Sequence, residues 1–294
     1  TLTVSSAASD VYKRQGGKRL RPILILLAYE LAGGKDLDEI MPLALSSEFI
    51  HSATLVHDDI NDESSTRRGR QTIHSKLGQA KGIIAGDFLF SQGFGLGGRY
   101  RQEVVDVIAH YCCKLASSEF TQIDHVLDLS TSPEDYLEIV KGKTAGPFAA
   151  GCKGAAMVAN ADNDSCKALF EFGMELGIAF QLVDDLLDIR GDERMGKPRG
   201  ADVYEGKMTL PLIHALTILH GPQRVRLAEI INNFEDSLFD ELVELLNFGE
   251  SLSYSEILIN NHLERALYNL DNFADCEAKQ LLKHVVHVVK NRHS

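Results

Sequence analysis

Apolar residues recur at three- and four-residue spacing along almost all of a 294-residue chain. That rhythm admits helices and little else. Pro22 to Leu31 is one such run, ended by Gly33-Gly34, and Leu37 to Val56 is a second. Leu77 to Phe94, Val104 to Leu127 and Ser165 to Ile189 continue the pattern. Ser132-Pro133-Glu134-Asp135 is a helix start with a Ser cap, Pro at the first helical position and acids in the first turn. The helix it opens runs toward Lys143. Stripes at Leu263, Leu267, Leu270 and Ala274, and at Leu281, Leu282, Val285, Val286 and Val289, predict two more near the C-terminus. No alternating strand and no strand-turn-helix phosphate loop interrupts them. Gly191 to Gly206, with four glycines and Pro198, reads as a long mobile loop. No Pro/Gly linker divides the chain, so the expectation is a single all-α domain.

Two of these helices end in the same acidic pattern, D-D-x-x-D: Asp58, Asp59 and Asp62, and again Asp184, Asp185 and Asp188. Carboxylates at i, i+1 and i+4 share nearly one helix face, where they repel one another unless a cation offsets them. A solvated acidic face would explain one such motif. Two, each behind an apolar run, point instead to hard divalent cations and, through them, to a polyphosphate. A calcium loop is excluded by the absence of a mid-motif Gly and a bidentate Glu.

Net charge is −12, which excludes nucleic acid as a general partner and means that any phosphate site must be built locally. Cations do cluster near the acids. Arg67 and Arg68 follow the first motif, and Lys197 and Lys207 follow the second. Gly16-Gly17-Lys18-Arg19-Leu20-Arg21-Pro22 sets several more at a helix start, a natural anion site. The five cysteines form no C-x-x-C pair, as expected of reduced, mostly buried thiols in a cytoplasmic protein. No apolar stretch is long enough for a membrane anchor. Thr1 to Gln15 lacks helical periodicity and is set aside as a leader, an artificial addition or a truncated start, leaving 16–294 as the domain.

The motifs occur in a specific order: G-G-K-R-L-R-P at 16–22, F-I-H at 49–51, H-D-D-I-N-D at 57–62, R-R-G at 67–69 and K-T-A-G at 143–146. F-Q-L-V-D-D-L-L-D at 180–188, G-K-P-R-G-A-D at 196–202 and G-K-M-T-L-P at 206–211 complete the series. In this the chain resembles the trans-isoprenyl diphosphate synthases, the polyprenyl synthetase family, from Gly16 to its C-terminus. The resemblance implies an all-α isoprenoid synthase fold around a deep central cavity, and a head-to-tail prenyl transfer from an allylic diphosphate to isopentenyl diphosphate. It implies Mg²⁺, three per site with substrate bound, and a homodimer. It assigns Asp58, Asp59 and Asp62 as ligands, and Asp184 as the surest ligand of the second motif, supported by Asp185 and Asp188. Arg67, Lys143, Thr144, Gln181, Lys197 and Lys207 would hold the allylic diphosphate. Lys18, Arg21, His51 and Arg68 would hold isopentenyl diphosphate.

In this family, bulk four or five residues before the first Asp stops the growing tail. Thr54 and Ala53 stand there, both small, so the expected product is C20 or longer, with C30–C50 favoured. Phe49, Phe88 and Phe90 are candidates for a deeper floor, and Ala53→Phe should shorten the product. Two rivals remain. A terpene cyclase would not consume isopentenyl diphosphate or need its basic set. A non-catalytic partner subunit commonly loses its aspartates, and all six are present here.

Overall fold

The computed structural model describes residues 19–191 and 199–291. Lys18 and Lys197, like Gly16 and Gly17, lie outside the described residues. The chain divides into two compact units. The first comprises 1–108 and 151–166, and the second 109–150 and 167–294. Both are helical, and among the described residues no helix is long and apolar enough to cross a membrane.

The first unit is built on α1 (Leu20–Leu31), α2 (Leu37–Asn61), α3 (Ile73–Leu77) and α4 (Gln79–Gly97). Asp36 caps α2 by accepting the Asp38 amide at 3.0 Å. The chain breaks at Gly78, whose φ of +90° favours glycine, so the single helix expected over Leu77 to Phe94 begins two residues later, at Gln79. α4 meets α2 through small residues. A Cβ at Gly86 would lie 2.1 Å from His57 Nε2, and one at Gly93 2.7 Å from Ile50 Cγ1. The glycines therefore let two helix backbones approach closely. Ala53, Val56, Ile73, Ala85 and Leu89 fill the space between, with Phe49, Leu77 and Phe90 packed on them.

Between α2 and α3 lies a hairpin the sequence pattern missed: β1 (Thr66–Arg67) pairs antiparallel with β2 (Arg70–Gln71). Its turn is Arg68-Gly69, both at positive φ (52° and 73°), as a two-residue type I′ hairpin turn requires. Buried Thr72 holds the hairpin's base, donating from Oγ1 to Ser64 O at 2.8 Å and from its amide to Ser65 O at 3.0 Å.

The remaining helices are α5 (Gln102–Asp124), α6 (Pro133–Val140), α7 (Gly146–Val158), α8 (Asn163–Arg190), α9 (Ala201–Tyr204) and α10 (Leu210–Ile218). They are followed by α11 (Gly221–Asn232), α12 (Phe239–Phe248), α13 (Ser251–Leu270) and α14 (Glu277–Lys290). Ser132 caps α6 as expected, with Asp135 completing a reciprocal capping box. α9 corrects the reading of Gly191 to Gly206 as one long loop. A π turn over Lys141–Ala145 joins α6 to α7. Such turns occur mostly as single insertions within helices, frequently at functional sites. α8 is buried nearly all round, and Leu169, Phe172, Leu176, Leu182, Leu186 and Ile189 are each at most 2% exposed. Each contributes about 1.5–3 kcal/mol of burial, so the second acidic motif stands on a rigid element. Cys152 and Cys166 are buried and Cys112 is half-buried, but Cys113 and Cys276 are exposed, correcting the expectation of mostly buried thiols.

Candidate active site

The two acidic motifs resolve into the same local geometry. In each, the middle aspartate is buried, Asp59 at 5% and Asp185 at 3% exposure, while the outer pair is half-buried. Asp58 and Asp62, like Asp184 and Asp188, are one helical turn apart and share a face. The first motif also ends α2, where the C-terminal dipole is negative and every added carboxylate raises the need for a cation.

Each buried aspartate has protein partners. Arg67 Nε donates to Asp59 Oδ1 at 2.5 Å. Burial raises the Asp59 carboxyl above its ordinary range, and the Arg67 charge opposes that shift. In the second unit, Tyr136 OH donates to Asp185 Oδ2 at 2.5 Å and Gln181 Nε2 to Asp185 Oδ1 at 2.8 Å. Thr144 Oγ1, from the π turn, donates to Gln181 Oε1 at 2.8 Å. The chain Thr144–Gln181–Asp185–Tyr136 thus links the π turn to the second motif.

Burial, reinforced by the Asp202 charge, pushes Asp185 from an ordinary 3.8 up to about 8. A carboxyl raised on folding takes up a proton. Its contribution to stability is present below the unfolded value and is lost as pH rises through the folded one. The metal-free protein should therefore melt at a lower temperature as pH rises from about 5 to about 8. Asp185→Asn, which carries no charge, should flatten that dependence in thermal melts. Equal slopes for the two proteins would show that Asp185 is already ionised.

The basic residues sort by unit. Around half-buried His51 in the first unit, burial and then the charges of Arg21, Arg68, Arg67 and Arg19 push the imidazole well below its usual value. His51 is thus neutral in a field of arginines, which is a field for an anion. Arg21 and Arg68 lie near enough to His51 for their charges to act on it. Arg19, which was not assigned a role, joins them at the N-cap of α1 and pairs with Glu48. In the second unit, Lys143 Nζ lies 2.6 Å from both Glu119 Oε2 and Gln122 Oε1, and Lys207 pairs with Glu205. Tyr136, Glu119 and Gln122 were not found from sequence. A buried Tyr on a helix reads as core, and an isolated Glu and Gln read as surface.

Among the described residues, no three His, Cys, Asp or Glu side chains converge tightly enough to hold an ion unaided. The donors of both motifs are nonetheless all carboxylate oxygens. Mg²⁺ usually takes one or two carboxylates and completes its shell with water and substrate phosphate. The donor set therefore fits Mg²⁺ arriving with a polyphosphate.

A model of the polyprenyl synthetase family matches residues 3–246. A chloroplastic solanesyl diphosphate synthase 1 of Arabidopsis thaliana is 37% identical over 274 residues, covering 90% of this chain and 66% of that protein. A geranylgeranyl diphosphate synthase of Methanosarcina mazei is 35% identical over 286 residues, covering 94% of this chain and 86% of the relative. Among solved structures, a polyprenyl synthase from Caulobacter crescentus, complexed with calcium and isoprenyl diphosphate, superposes with a TM-score of 0.91 at 34% identity. That match covers 97% of this chain and 88% of the other.

Proposed function

The chain belongs to the polyprenyl synthetase family of prenyltransferases, and on that premise we propose that it joins isopentenyl diphosphate head-to-tail (1′-4) to an allylic prenyl diphosphate. The product is an all-trans polyprenyl diphosphate of C20 or longer. The observation that carries this reading is the repeated motif geometry: half-buried aspartates one turn apart, beside a buried one held by the protein.

Mg²⁺, when bound, supplies positive charge to the diphosphate as its ester bond ionises. The chain's own residues do the rest. Asp58, Asp62 and Asp184 hold the ions, while Asp59 and Asp185 support them from the protein side. Arg67, Lys143, Thr144, Gln181, Lys197 and Lys207 receive the allylic diphosphate, where negative charge grows as the C–O bond breaks. Lys18, Arg21, His51 and Arg68 hold isopentenyl diphosphate, whose double bond attacks the allylic cation. A proton is then lost from the new C–C adduct, and diphosphate leaves. The ions of the Caulobacter complex support a divalent-cation site by analogy. The exposed apolar residues Ile83, Ile84, Phe88 and Phe94 on α4 support a homodimer.

The test is turnover of the purified protein alone with Mg²⁺, isopentenyl diphosphate and allylic primers, followed by chain-length analysis. Consumption of isopentenyl diphosphate excludes a cyclase, and activity without a partner excludes a modulating subunit. A product that stops at C15 overturns the length assignment.

The relatives' names span geranylgeranyl and solanesyl products, so length rests on Ala53 and Thr54. Ala53 is fully buried against α4, while Thr54 is half-buried and donates from Oγ1 to His51 O at 2.8 Å. Thr54→Phe should therefore shorten the product at nearly unchanged melting temperature. Ala53→Phe should shorten it while costing about 1–3 kcal/mol of overpacking. Unchanged products from both variants would remove the ruler from α2.

A further inference from the structure

The third aspartate of the second motif has a different occupation from the first. Asp188 Oδ1 accepts the Ala201 amide and Asp188 Oδ2 the Asp202 amide, each at 3.0 Å. The Gly200 amide donates to the Asp188 backbone carbonyl at 2.9 Å. Three consecutive N–H groups are therefore directed onto one residue of α8.

They are the amides that open α9, whose own N-cap position is glycine and supplies no side-chain acceptor. A four-residue helix cannot hold itself together, since its first amides have no intrahelical partner. Gly200 stands at φ 73°, in the left-handed region, which turns the chain so that the next amides face back toward α8. On its other side, Tyr204 meets the Phe234 ring edge-on at 4.7 Å. α9 is thus gripped from two sides. Its position fixes Asp202, whose charge reaches Asp185, and also the start of the segment that carries Lys207, whose amide donates to Asp202 O at 2.9 Å.

We propose that Asp188 is a positioning residue rather than a metal ligand: its carboxylate caps α9 from a distance and holds Asp202 and the approach to Lys207 against the second acidic motif. This rests on the proposed prenyl transfer only for what is being positioned. The cap itself is a property of the metal-free fold. The pattern D-D-x-x-D then contains two jobs at one turn's separation, with Asp184 directed to cations and Asp188 to backbone amides.

The two roles answer differently to substitution. Asn keeps one of the two acceptor oxygens that Asp188 uses, whereas Ala keeps neither. A metal ligand, by contrast, loses its charge in Asn as surely as in Ala. The experiment compares wild type, Asp188→Asn and Asp188→Ala by two measurements. The first is hydrogen exchange of the peptide spanning 199–206 in metal-free protein. Asp188→Ala should speed exchange at both Ala201 and Asp202 about tenfold, and Asp188→Asn, which keeps one acceptor oxygen of the two, should restore protection at one of them. The second is the Mg²⁺ concentration giving half-maximal condensation. It should stay within about twofold of wild type in both variants, whereas loss of a ligand would raise it about tenfold or more. Unaltered exchange in Asp188→Ala, or a shared tenfold rise in the Mg²⁺ requirement, overturns the proposal. Wild-type protein that never consumes isopentenyl diphosphate refutes the prenyl-transfer reading instead and leaves the exchange comparison intact.

Discussion

Replacing Asp184 by Asn is expected to lower kcat by about 10³-fold, with the fold and the melting temperature preserved. Asp184 is the outward member of the second motif that does not cap α9, and it stands one residue before an aspartate anchored by Tyr136 and Gln181. The helix beneath it is buried nearly all round, so a substitution of equal size at this half-buried position has no core to disturb. What changes is charge. The diphosphate gains negative charge as it leaves, and a cation held there stabilises the transition state more than the ground state. The loss should therefore appear in kcat. The KM for isopentenyl diphosphate should change little, because the residues proposed to hold it, Lys18, Arg21, His51 and Arg68, are distinct from those proposed to hold the ions and the allylic diphosphate. Steady-state kinetics with thermal melts measures both. A kcat within tenfold of wild type would remove Asp184 from the ligand set.

That separation of outer and inner aspartates was not legible in the sequence, although the motifs themselves were. Spacing puts Asp184, Asp185 and Asp188 on nearly one face, yet a rotation of about 100° per residue leaves the middle side chain free to turn toward the core. Which way it turns depends on Tyr136, forty-nine positions away. The helices were legible because their periodicity is long and their caps are local, as at Ser132 with Asp135. The hairpin at Thr66 to Gln71 was not, since two-residue strands are too short to show an alternating period. The π turn at Lys141–Ala145 was hidden for another reason. Its backbone path is shaped by close approaches, with Gly142 against Ser118 and Gly146 against Tyr111, that no local propensity encodes. Lys143 was singled out as a cation for phosphate. It pairs with Glu119 and Gln122, partners that the proposed phosphate contact would have to displace or share.

The same close approaches predict the largest stability effect. Gly177→Ala should destabilise the protein by roughly 1–3 kcal/mol, and Gly177→Val by more. Helix propensity argues the opposite sign, since Ala in a helix interior is favoured over Gly by about 1 kcal/mol. Contact decides the outcome. A Cβ at Gly177 would lie 2.5 Å from Ala145 Cα and 2.9 Å from Ala145 Cβ, and one at Gly173 would lie 2.7 Å from Ala149 Cα. The obstacles are mostly backbone, which cannot rotate aside as a flexible side-chain end can. α8 would have to move off the π turn, stretching the 2.8 Å bond from Thr144 to Gln181 and loosening the support of Asp185. Activity should fall with stability, through a higher KM for the allylic substrate. Gly95 on α4 provides the control. It is exposed, and a Cβ there would meet nothing within 4 Å, so Gly95→Ala should follow propensity and stabilise by about 0.5–1 kcal/mol. Urea midpoints of the two variants should shift in opposite directions. If both shift upward, α8 has room to yield, and the glycine pair at 173 and 177 does not set how closely it approaches the π turn.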